Sequence, residues 1–276
     1  MSRTSGKNNK KTYPRTAKTR KVAARGAANL FGFHAVEAAW RNPERKIKRV
    51  FVTESAWQSF EKRFESGRAP MTDPKRPAPE FLTRKEIDKI LPHDVHQGIA
   101  VEADPLPEIY LADILIAKRQ SQDSMIIMLD QVTDPHNVGA ILRSASVFGA
   151  DALVQQTRHA PLPEGVLAKT ASGAVEYVPL VYETNLSDAI EALKRAGYHV
   201  FGLDERGEDL NRVLTKDHNT SQTAKNVLVL GAEGKGLRPK LRDLCDNLLK
   251  IPSSGEVTAL NVSNAAAIGL YALKEN

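Results

Sequence analysis

Short apolar runs alternate with segments of helical periodicity through the second half of the chain. We interpret each run as a buried strand, because strands covered on both faces carry continuous Val, Ile and Leu. The runs lie at residues 125–129, 152–155, 178–181, 200–203, 227–230 and 248–251. Between them, apolar residues at helical spacing predict helices over 138–148, 164–171, 186–196 and about 260–273. Strands that alternate with helices predict an α/β domain with a parallel sheet between helical layers.

A smaller group of the same signals fills the first part of the chain. Helices are predicted at 30–40, 59–64 and 86–91, and strands at 49–53 and 98–102. Thr83 stands three residues before Glu86, which is the spacing of a capping box that opens a helix. A Pro-Leu-Pro stretch at 105–107 then begins a connection with a helix predicted at 111–118. The predicted organisation is a small α/β domain at 29–104, a linker at 105–123 and the parallel-sheet domain at 124–276.

The basic character of the chain is concentrated in its first residues. The sequence has 39 Lys and Arg against 33 Asp and Glu, for a net charge of +6. Residues 1–29 hold nine of the basic residues and no acidic one, so 30 basic residues face 33 acidic ones elsewhere. Because such a segment lacks the apolar side chains needed to fold alone, residues 1–28 are predicted to be a disordered arm that meets phosphates. A tail that only aids solubility, or an organelle transit peptide, stays open.

Composition disfavours several classes of protein. No apolar run approaches the roughly 20 residues of a membrane span, and no secretory apolar core is present, so a cytoplasmic protein is expected. The single cysteine, Cys245, excludes an internal disulfide and is predicted to be a small core residue. The seven histidines are scattered without metal-ligand spacing, and we expect no metal site.

Three segments rich in glycine and small polar residues follow predicted strands. They are Asp-Pro-His-Asn-Val-Gly-Ala-Ile-Leu-Arg at 134–143, Leu-Gly-Ala-Glu-Gly-Lys-Gly-Leu at 230–237 and Ile-Pro-Ser-Ser-Gly-Glu-Val-Thr-Ala-Leu-Asn-Val-Ser at 251–263. The carboxyl ends of parallel strands meet at one edge of a sheet, where α/β proteins bind ligands. The second segment lacks the Gly-x-Gly-x-x-Gly spacing of a dinucleotide loop, and Gly236 stands where a P-loop has Ser or Thr.

In this order, the three segments resemble the signature motifs of the SpoU/TrmH-type RNA ribose 2′-O-methyltransferases of the SPOUT superfamily. Residues 47–53 and 96–100 are similar to the N-terminal substrate-binding domain of many members, and the closest likeness is to the branch that methylates guanosine in large-subunit rRNA. The resemblance implies methyl transfer from S-adenosylmethionine to a ribose 2′-hydroxyl of structured RNA, with rRNA as the first expectation and tRNA as the second. It also implies a deep C-terminal trefoil knot and a homodimer.

The resemblance further implies roles for individual residues. The catalytic set is Arg143, Asn137, Glu233 and Asn261, and the cofactor-binding set is Gly231, Ile251, Leu260 and Ser263. Because a guanidinium has a pKa above about 12, Arg143 can act as a charge stabiliser as well as the base that the family proposal makes it. The family pattern has Ser directly before Leu-Asn-Val, whereas this chain has Ala259, so no catalytic role is assigned to that position.

Local structure gives some of these residues a second interpretation. Asn137 is predicted to cap a helix, and Gly139 to let another backbone approach closely. Asn261 and Ser263 also suit the cap of the last helix, and both interpretations can hold. The last helix is predicted to expose a face of small and apolar residues to a second copy or, alternatively, to pack it on its own sheet. That face consists of Ala265, Ala266, Ala267, Gly269, Leu270 and Leu273.

The sequence leaves two other classes of function open. A non-catalytic RNA-binding factor for ribosome assembly would keep the fold without the chemistry, but the complete catalytic set argues against it. A nicotinamide-dependent dehydrogenase is disfavoured because the glycine fingerprint and its acidic partner are missing. Binding of S-adenosylmethionine would separate the enzyme from a pure RNA binder.

Overall fold

The computed structural model describes residues 28–65, 76–157, 165–216, 224–256 and 259–275. These residues form one sheet of four strands and one of six strands. Residues 1–27, which make up nearly all of the predicted basic arm, lie outside the described residues. None of the helices in the described ranges combines the length and hydropathy that a membrane crossing requires.

The four-stranded sheet belongs to the first part of the chain. Its elements are β1 (Leu30–Phe31), α1 (Phe33–Arg41), β2 (Ile47–Val52), α2 (Glu54–Glu65), β3 (Pro79–Phe81), α3 (Arg84–Ile90) and β4 (Ile99–Ala103). The strands lie in the order β1-β4-β2-β3, with β2 antiparallel to β4 and parallel to β3. β1 and β3 are absent from the predicted elements because two or three residues are too few to show a period. The capping box is confirmed, since the Thr83 backbone N–H donates to Glu86 Oε2 at 2.7 Å.

An aromatic cluster packs α1 and α2 together. The Trp40 ring meets the rings of Trp57 and Phe60 edge-on, with centroids 6.1 and 5.7 Å apart. Val36, Ala39 and Trp40 are buried on α1 at intervals of three and four residues, which is the spacing of one helical face.

The six-stranded sheet confirms the predicted α/β fold with a parallel core. After α4 (Leu111–Ala117), its elements are β5 (Asp123–Asp130), α5 (Pro135–Val147), β6 (Ala152–Gln156), α6 (Gly165–Thr170), a 3₁₀ helix (Ala174–Glu176), β7 (Leu180–Glu183), α7 (Leu186–Arg195), β8 (His199–Asp209), α8 (Leu210–Lys216), β9 (Ala224–Gly231), α9 (Pro239–Leu244), β10 (Asn247–Lys250) and α10 (Val262–Glu275). All strand pairs are parallel, in the order β10-β8-β9-β5-β6-β7. β8 continues past its predicted end at 203, because its polar second half pairs with β10 after a register shift.

Side chains of the central strands alternate between two helical layers. On β5, Ile127 and Leu129 face one layer while Ile126 and Met128 face the other, and each is at most 1% exposed. The first layer contains α5, α6, α8 and α10, and the second contains α4, α7 and α9. Burial on both faces explains why these strands are continuous apolar runs in the sequence.

The last helix turns its small apolar face inward. Ala266 and Leu270 of α10 are fully buried, and a Cβ added at Gly269 would lie 2.9 Å from the Leu228 side chain. The prediction that this face is exposed to a second copy is therefore wrong, because the face completes the first helical layer on its own sheet. The large apolar side chains that α10 does expose are Ile268 and Tyr271.

Candidate active site

The motif segments leave the six-stranded sheet at one edge. β5 and β9 are paired so that Asp130, the last residue of β5, lies opposite Gly231, the last residue of β9. β10 ends at the same edge, since it runs parallel to the other strands. The three motifs therefore begin where ligand sites lie in this class of fold.

The first motif enters α5 with its capping residue earlier than predicted. Asp134 Oδ1 accepts the backbone N–H of His136 at 3.0 Å, and Pro135 is the first residue of the helix. The prediction that Asn137 caps this helix is wrong, because Asp134 followed by proline provides both the capping oxygen and a preset φ. Asn137 lies inside the first turn, and its side-chain amide reaches another motif.

Side chains from all three motifs form one hydrogen-bonded cluster. Asn137 Nδ2 donates to Glu233 Oε1 at 3.0 Å, and Asn261 Nδ2 donates to the same oxygen at 2.7 Å. Asn261 Nδ2 also donates to Asn137 Oδ1 at 3.0 Å. We call these three residues the Asn–Glu–Asn cluster. Within the described part of the chain, Glu233 Oε2 accepts no hydrogen bond, so one carboxylate oxygen stays open.

Asn261 serves the cluster and the last helix at once. Its Oδ1 accepts the backbone N–H of Ser263 at 2.9 Å and the Ser263 hydroxyl at 2.6 Å. Since Asn261 directly precedes α10, this oxygen satisfies a first-turn N–H that has no partner inside the helix. The capping interpretation of Asn261 is confirmed, whereas Ser263 donates to the cap and is not the cap itself.

The loop after β9 folds back on its first glycine. A Cβ added at Gly231 would lie 2.1 Å from the carbonyl carbon of Gly236, so only glycine fits there. The Gly236 N–H donates to the Ala232 carbonyl at 2.9 Å, which closes the loop. Gly236 has a φ of +64°, a left-handed conformation that disfavours a side chain. These glycines fix the turn that carries Glu233.

An ion pair between Asp130 and Arg238, absent from the predicted site residues, holds the far end of this loop. Asp130 is fully buried and accepts the Arg238 backbone N–H at 2.9 Å and Arg238 Nε at 2.7 Å. Arg238 Nη2 also reaches Gln156 Oε1 at 3.5 Å, at the end of β6. The glycine loop is thus tied to neighbouring strands at both ends. The available signal was Asp130 itself, a charged residue that ends an apolar run.

Arg143 lies apart from the Asn–Glu–Asn cluster on the same helix as Asn137. The two residues are separated by about 9 Å along the axis of α5. The Arg143 side chain is exposed, and it makes no hydrogen bond or ion pair with the residues that the structure describes. Its guanidinium is therefore available to a ligand.

Ile251 is the first residue of the third motif, and Leu260 lies near its end. Ile251 follows β10 directly and is half-buried, whereas Leu260, next to Asn261, is 48% exposed. Residues 251–256 form neither helix nor strand, and Ala259 is exposed. Thr258, the other hydroxyl considered near this position, lies outside the described residues. The segment thus presents backbone groups and an uncovered apolar side chain beside the cluster.

Two family models match the chain. Residues 124–271 match the SpoU rRNA Methylase family. Residues 30–109 match the family described as RNA 2′-O ribose methyltransferase substrate binding.

Curated relatives match over most of the chain. The 23S rRNA (guanosine-2′-O-)-methyltransferase RlmB of Pseudomonas putida is 35% identical over 245 residues, which cover 88% of this chain and 94% of that protein. The protein of the same name from Pasteurella multocida is 32% identical over 248 residues, with 88% and 96% covered.

Solved structures share the fold. An AdoMet-bound rRNA methyltransferase from Sinorhizobium meliloti superposes with a TM-score of 0.68 at 22% identity, covering 90% of this chain and 87% of that one. The SpoU methyltransferase AviRb from Streptomyces viridochromogenes, in complex with AdoMet, gives a TM-score of 0.66 at 22% identity, covering 91% and 90%. With the catalytic-domain match and relatives above 30% identity along most of its length, the chain belongs to the SpoU rRNA methylase family.

Proposed function

We propose that this protein transfers a methyl group from S-adenosylmethionine to the ribose 2′-hydroxyl of a guanosine in 23S rRNA. The observation that carries the proposal is the Asn–Glu–Asn cluster, where the three motifs meet beside the glycine loop. Family membership and the 35% identity to RlmB of P. putida support the reaction and the substrate. An rRNA substrate would place the reaction in the cytoplasm.

The residues beside the cluster fit S-adenosylmethionine. The exposed Leu260 side chain offers apolar contact, and the backbone at 252–256 offers polar groups outside helix and strand. Gly231 adds no side chain at the start of the loop. In the proposal, Gly231, Ile251, Leu260 and Ser263 hold the cofactor, and no metal takes part. When bound, S-adenosylmethionine supplies an electrophilic methyl group on a sulfonium.

Arg143 acts on the RNA in this proposal. Its guanidinium is a cation with five N–H donors, so it stabilises negative charge developing on the ribose oxygen and binds the adjacent phosphate. Its exposure, without a partner among the described residues, leaves its donors for the RNA. Asn137, Glu233 and Asn261 hold the second and third motifs in fixed positions at the start of α5. Accurate positioning supplies much of the acceleration in a displacement of this kind.

The proposed division of labour follows the domains predicted from the sequence. Residues 29–104 capture the RNA, 105–123 connect, and 124–276 carry the catalytic site. The substrate-binding family match over 30–109 supports the first assignment. Residues 1–28, with nine Lys and Arg and no acid, add contacts to phosphates.

The protein acts as a homodimer in this proposal, paired through the exposed sides of α5 and α10. Val147, Ile268 and Tyr271 are large apolar side chains that are 72, 38 and 56% exposed. The rings of Phe148 and Tyr271, with centroids 6.1 Å apart, join the two helices at this surface. Arg143 lies one turn before Val147, so a second copy docked here would approach the site. Sedimentation equilibrium checks this, and a monomeric wild-type protein would contradict it.

A deep trefoil knot at the late strands completes the proposed fold. A Cβ added at Gly207 would lie 2.5 Å from the Leu248 carbonyl oxygen, so the extension of β8 crosses directly against β10. β10 pairs with β8 on both sides of a jump from Gly202 to Glu208. After β10, α10 lies against Leu228 of β9 in the middle of the sheet. In the proposal, the chain after β10 passes through the loop that this crossing closes.

Mapping of ribose methylation across total RNA, with and without this protein, tests the proposal. We expect the loss of one 2′-O-methylguanosine from 23S rRNA, and its restoration by purified protein with S-adenosylmethionine. Loss of a tRNA methyl group would move the substrate to tRNA. Unchanged methylation together with no affinity for S-adenosylmethionine would favour an RNA-binding assembly factor.

A further inference from the structure

A buried ion pair joins the small domain to the catalytic domain. Arg45, which follows α1, donates from Nη2 and Nε to Glu176 Oε1 at 2.7 and 3.0 Å. Their side chains are only 7% and 1% exposed. Charged groups this deeply buried require both a partner and hydrogen bonds, because each loses its hydration on folding.

The remaining hydrogen-bonding groups of the pair are also used. Asn42 Nδ2 donates to Glu176 Oε2 at 2.9 Å, so the carboxylate receives an amide as well as the guanidinium. Arg45 Nη1 donates to the Asp104 carbonyl at 2.7 Å, at the end of the small domain. The pair therefore gathers α1, the start of the connection and the 3₁₀ helix at one point.

Close backbone contact accompanies the ion pair. Gly173, just before the 3₁₀ helix, has a φ of +83°, and a Cβ there would lie 2.4 Å from the Ala38 side chain and 2.7 Å from the His34 carbonyl oxygen. α1 thus lies directly on this glycine. Lys169 of α6 adds a contact, with its ammonium 5.9 Å from the centroid of the Phe31 ring.

The opposite side of the same segment packs on the helix that carries the site. A Cβ added at Gly139 would lie 2.7 Å from Thr170 Cβ and 3.0 Å from the Ala171 backbone nitrogen, which confirms the predicted close approach at Gly139. Gly139 is two residues after Asn137 and one turn before Arg143. Contact is therefore continuous from Arg45, through Glu176 and α6, to the helix of Asn137 and Arg143.

We infer that Arg45 and Glu176 are positioning residues that fix the substrate-binding domain against α5, and so determine which nucleotide of the bound RNA reaches Arg143. The inference rests on the proposed function, since it concerns the RNA that the small domain captures. With the pair intact, both domains hold the RNA as one body. With the pair broken, the RNA stays tethered but its target ribose samples several placements at the site.

The test uses the full chain with Glu176→Gln, which keeps the size of the side chain but removes its charge, and Arg45→Lys, which keeps the charge but loses the two-point contact. We expect single-turnover methyl transfer at saturating RNA to fall by about a hundredfold, the effect of a small misplacement of reacting groups. The 2′-O-methyl group is expected on neighbouring nucleotides as well as on the wild-type target. The Kd for S-adenosylmethionine stays near the wild-type value, because its proposed site belongs to the catalytic domain alone.

Glu80→Gln provides the matched control. Arg49 and Glu80 also form a two-point contact, at 2.7 and 2.8 Å, but it lies between β2 and β3 of the small sheet and is more exposed than the Arg45–Glu176 pair. This variant should methylate the wild-type nucleotide at the wild-type rate. If Glu176→Gln does not fold, Arg45→Lys carries the test, since an ammonium cannot reproduce the paired Nη2 and Nε contacts with Glu176.

Each outcome separates the inference from the proposed function. Wild-type rate and a single methylated nucleotide in a folded variant of the pair would overturn the inference. Reduced rate with spread methylation in the pair variants, and neither change in Glu80→Gln, would support it. If the wild-type protein binds the RNA and S-adenosylmethionine but transfers no methyl group, the proposed function is contradicted instead.

Discussion

The two ends of the six-stranded sheet differ in how far their polar side chains are satisfied by partners within the protein. At the amino end, the Ser124 hydroxyl lies 2.6 Å from Asp151 Oδ2 and 2.7 Å from the Tyr198 hydroxyl, and Lys118 pairs with Asp151. The Lys225 ammonium donates to the Lys118 carbonyl at 2.9 Å. Ser124, Tyr198 and Lys225 are all buried, so this network neutralises and satisfies itself inside the protein.

At the carboxyl end Asp130 and Arg238 satisfy each other, but the polar groups of the motifs are left partly open. Glu233 is held by two amides and by no cation among the described residues, and one of its oxygens accepts no bond there. Arg143 in the first motif and Leu260 in the third are exposed. Groups that satisfy one another stabilise the fold, whereas groups held in place with capacity to spare can bind a ligand. Substitutions at the two ends should therefore affect different measurements.

Arg143→Ala is the largest expected loss of activity at the open end. Removal of one preorganised charge stabiliser typically lowers a rate by about 10²–10³, and we expect at least this loss in single-turnover methyl transfer. The free energy of unfolding and the Kd for S-adenosylmethionine should stay near wild type, because Arg143 is exposed and has no partner among the described residues. Arg195→Ala is the control, since Arg195 is also an exposed helical arginine but lies on α7. Wild-type turnover in Arg143→Ala would refute its role.

Glu233→Ala at the carboxyl end should lower activity, whereas Asp151→Ala at the amino end should lower stability. Glu233→Ala disconnects the three motifs, so we expect methyl transfer to fall by about a hundredfold with little change in stability. Asp151→Ala leaves Ser124 and Lys118 without their carboxylate, so the free energy of unfolding should fall by about 1–3 kcal/mol, with normal activity per folded molecule. Denaturant unfolding and methyl-transfer rates on both variants measure this. Equal losses of stability in the two variants would remove the distinction between the ends.

Strands that are buried on both faces were the most predictable part of the fold. The apolar run at 125–129 lies within β5, where Ile126 and Ile127 face opposite helical layers and are both fully buried. α9 was missed because it has six residues and buries only Leu241, too little to show a helical period. The inward face of α10 shows a further limit, since small apolar residues suit contact with a second copy and contact with the helix's own sheet equally.

The candidate site was predictable as an edge of the sheet but not as a set of contacts. Parallel strands place the motif loops at one edge, whereas the bond between Asn137 and Glu233 depends on Asp130 lying opposite Gly231. Asn137 also reaches Glu233 because Asp134 takes the cap, a competition that spacing alone does not decide. The family resemblance identified the individual site residues. The structure then showed that Asn137, Glu233 and Asn261 are hydrogen-bonded to one another.

Gly231→Ala tests whether the open end depends on the shape of its loop. Because the new Cβ would meet the Gly236 carbonyl carbon at 2.1 Å, the loop must move, and we expect a stability loss of about 1–3 kcal/mol. In calorimetric titration, S-adenosylmethionine should bind at least about tenfold more weakly, a difference of roughly 1.4 kcal/mol. Gly197→Ala is the control, since its φ of +86° brings strain but nothing lies within 4 Å of the added Cβ. Unchanged cofactor affinity in Gly231→Ala would separate the loop from the cofactor site.

The smallest expected effect concerns Cys245, which lies just before β10 at the amino end of the sheet. It is partly buried and packs against the second helical layer, close to the core position predicted for it. Burial, with a smaller contribution from the charge of Asp246, raises its pKa to about 12. At pH 8 only about one thiol in 10⁴ is then ionised, and the thiolate is the reactive form.

Alkylation of the native protein at pH 8 should therefore be slow, and it should accelerate as pH rises toward 12. The same chain unfolded in guanidinium chloride is the control, because its thiol returns to an ordinary pKa and labels at the rate of a free cysteine. Cys245→Ala should leave methyl transfer unchanged, since among the described residues the thiol donates only to the Leu241 carbonyl, at 3.3 Å. Fast labelling of the folded protein would mean that the amino end of the sheet opens in solution. Both ends would then be accessible, and they would differ only in how accessible they are.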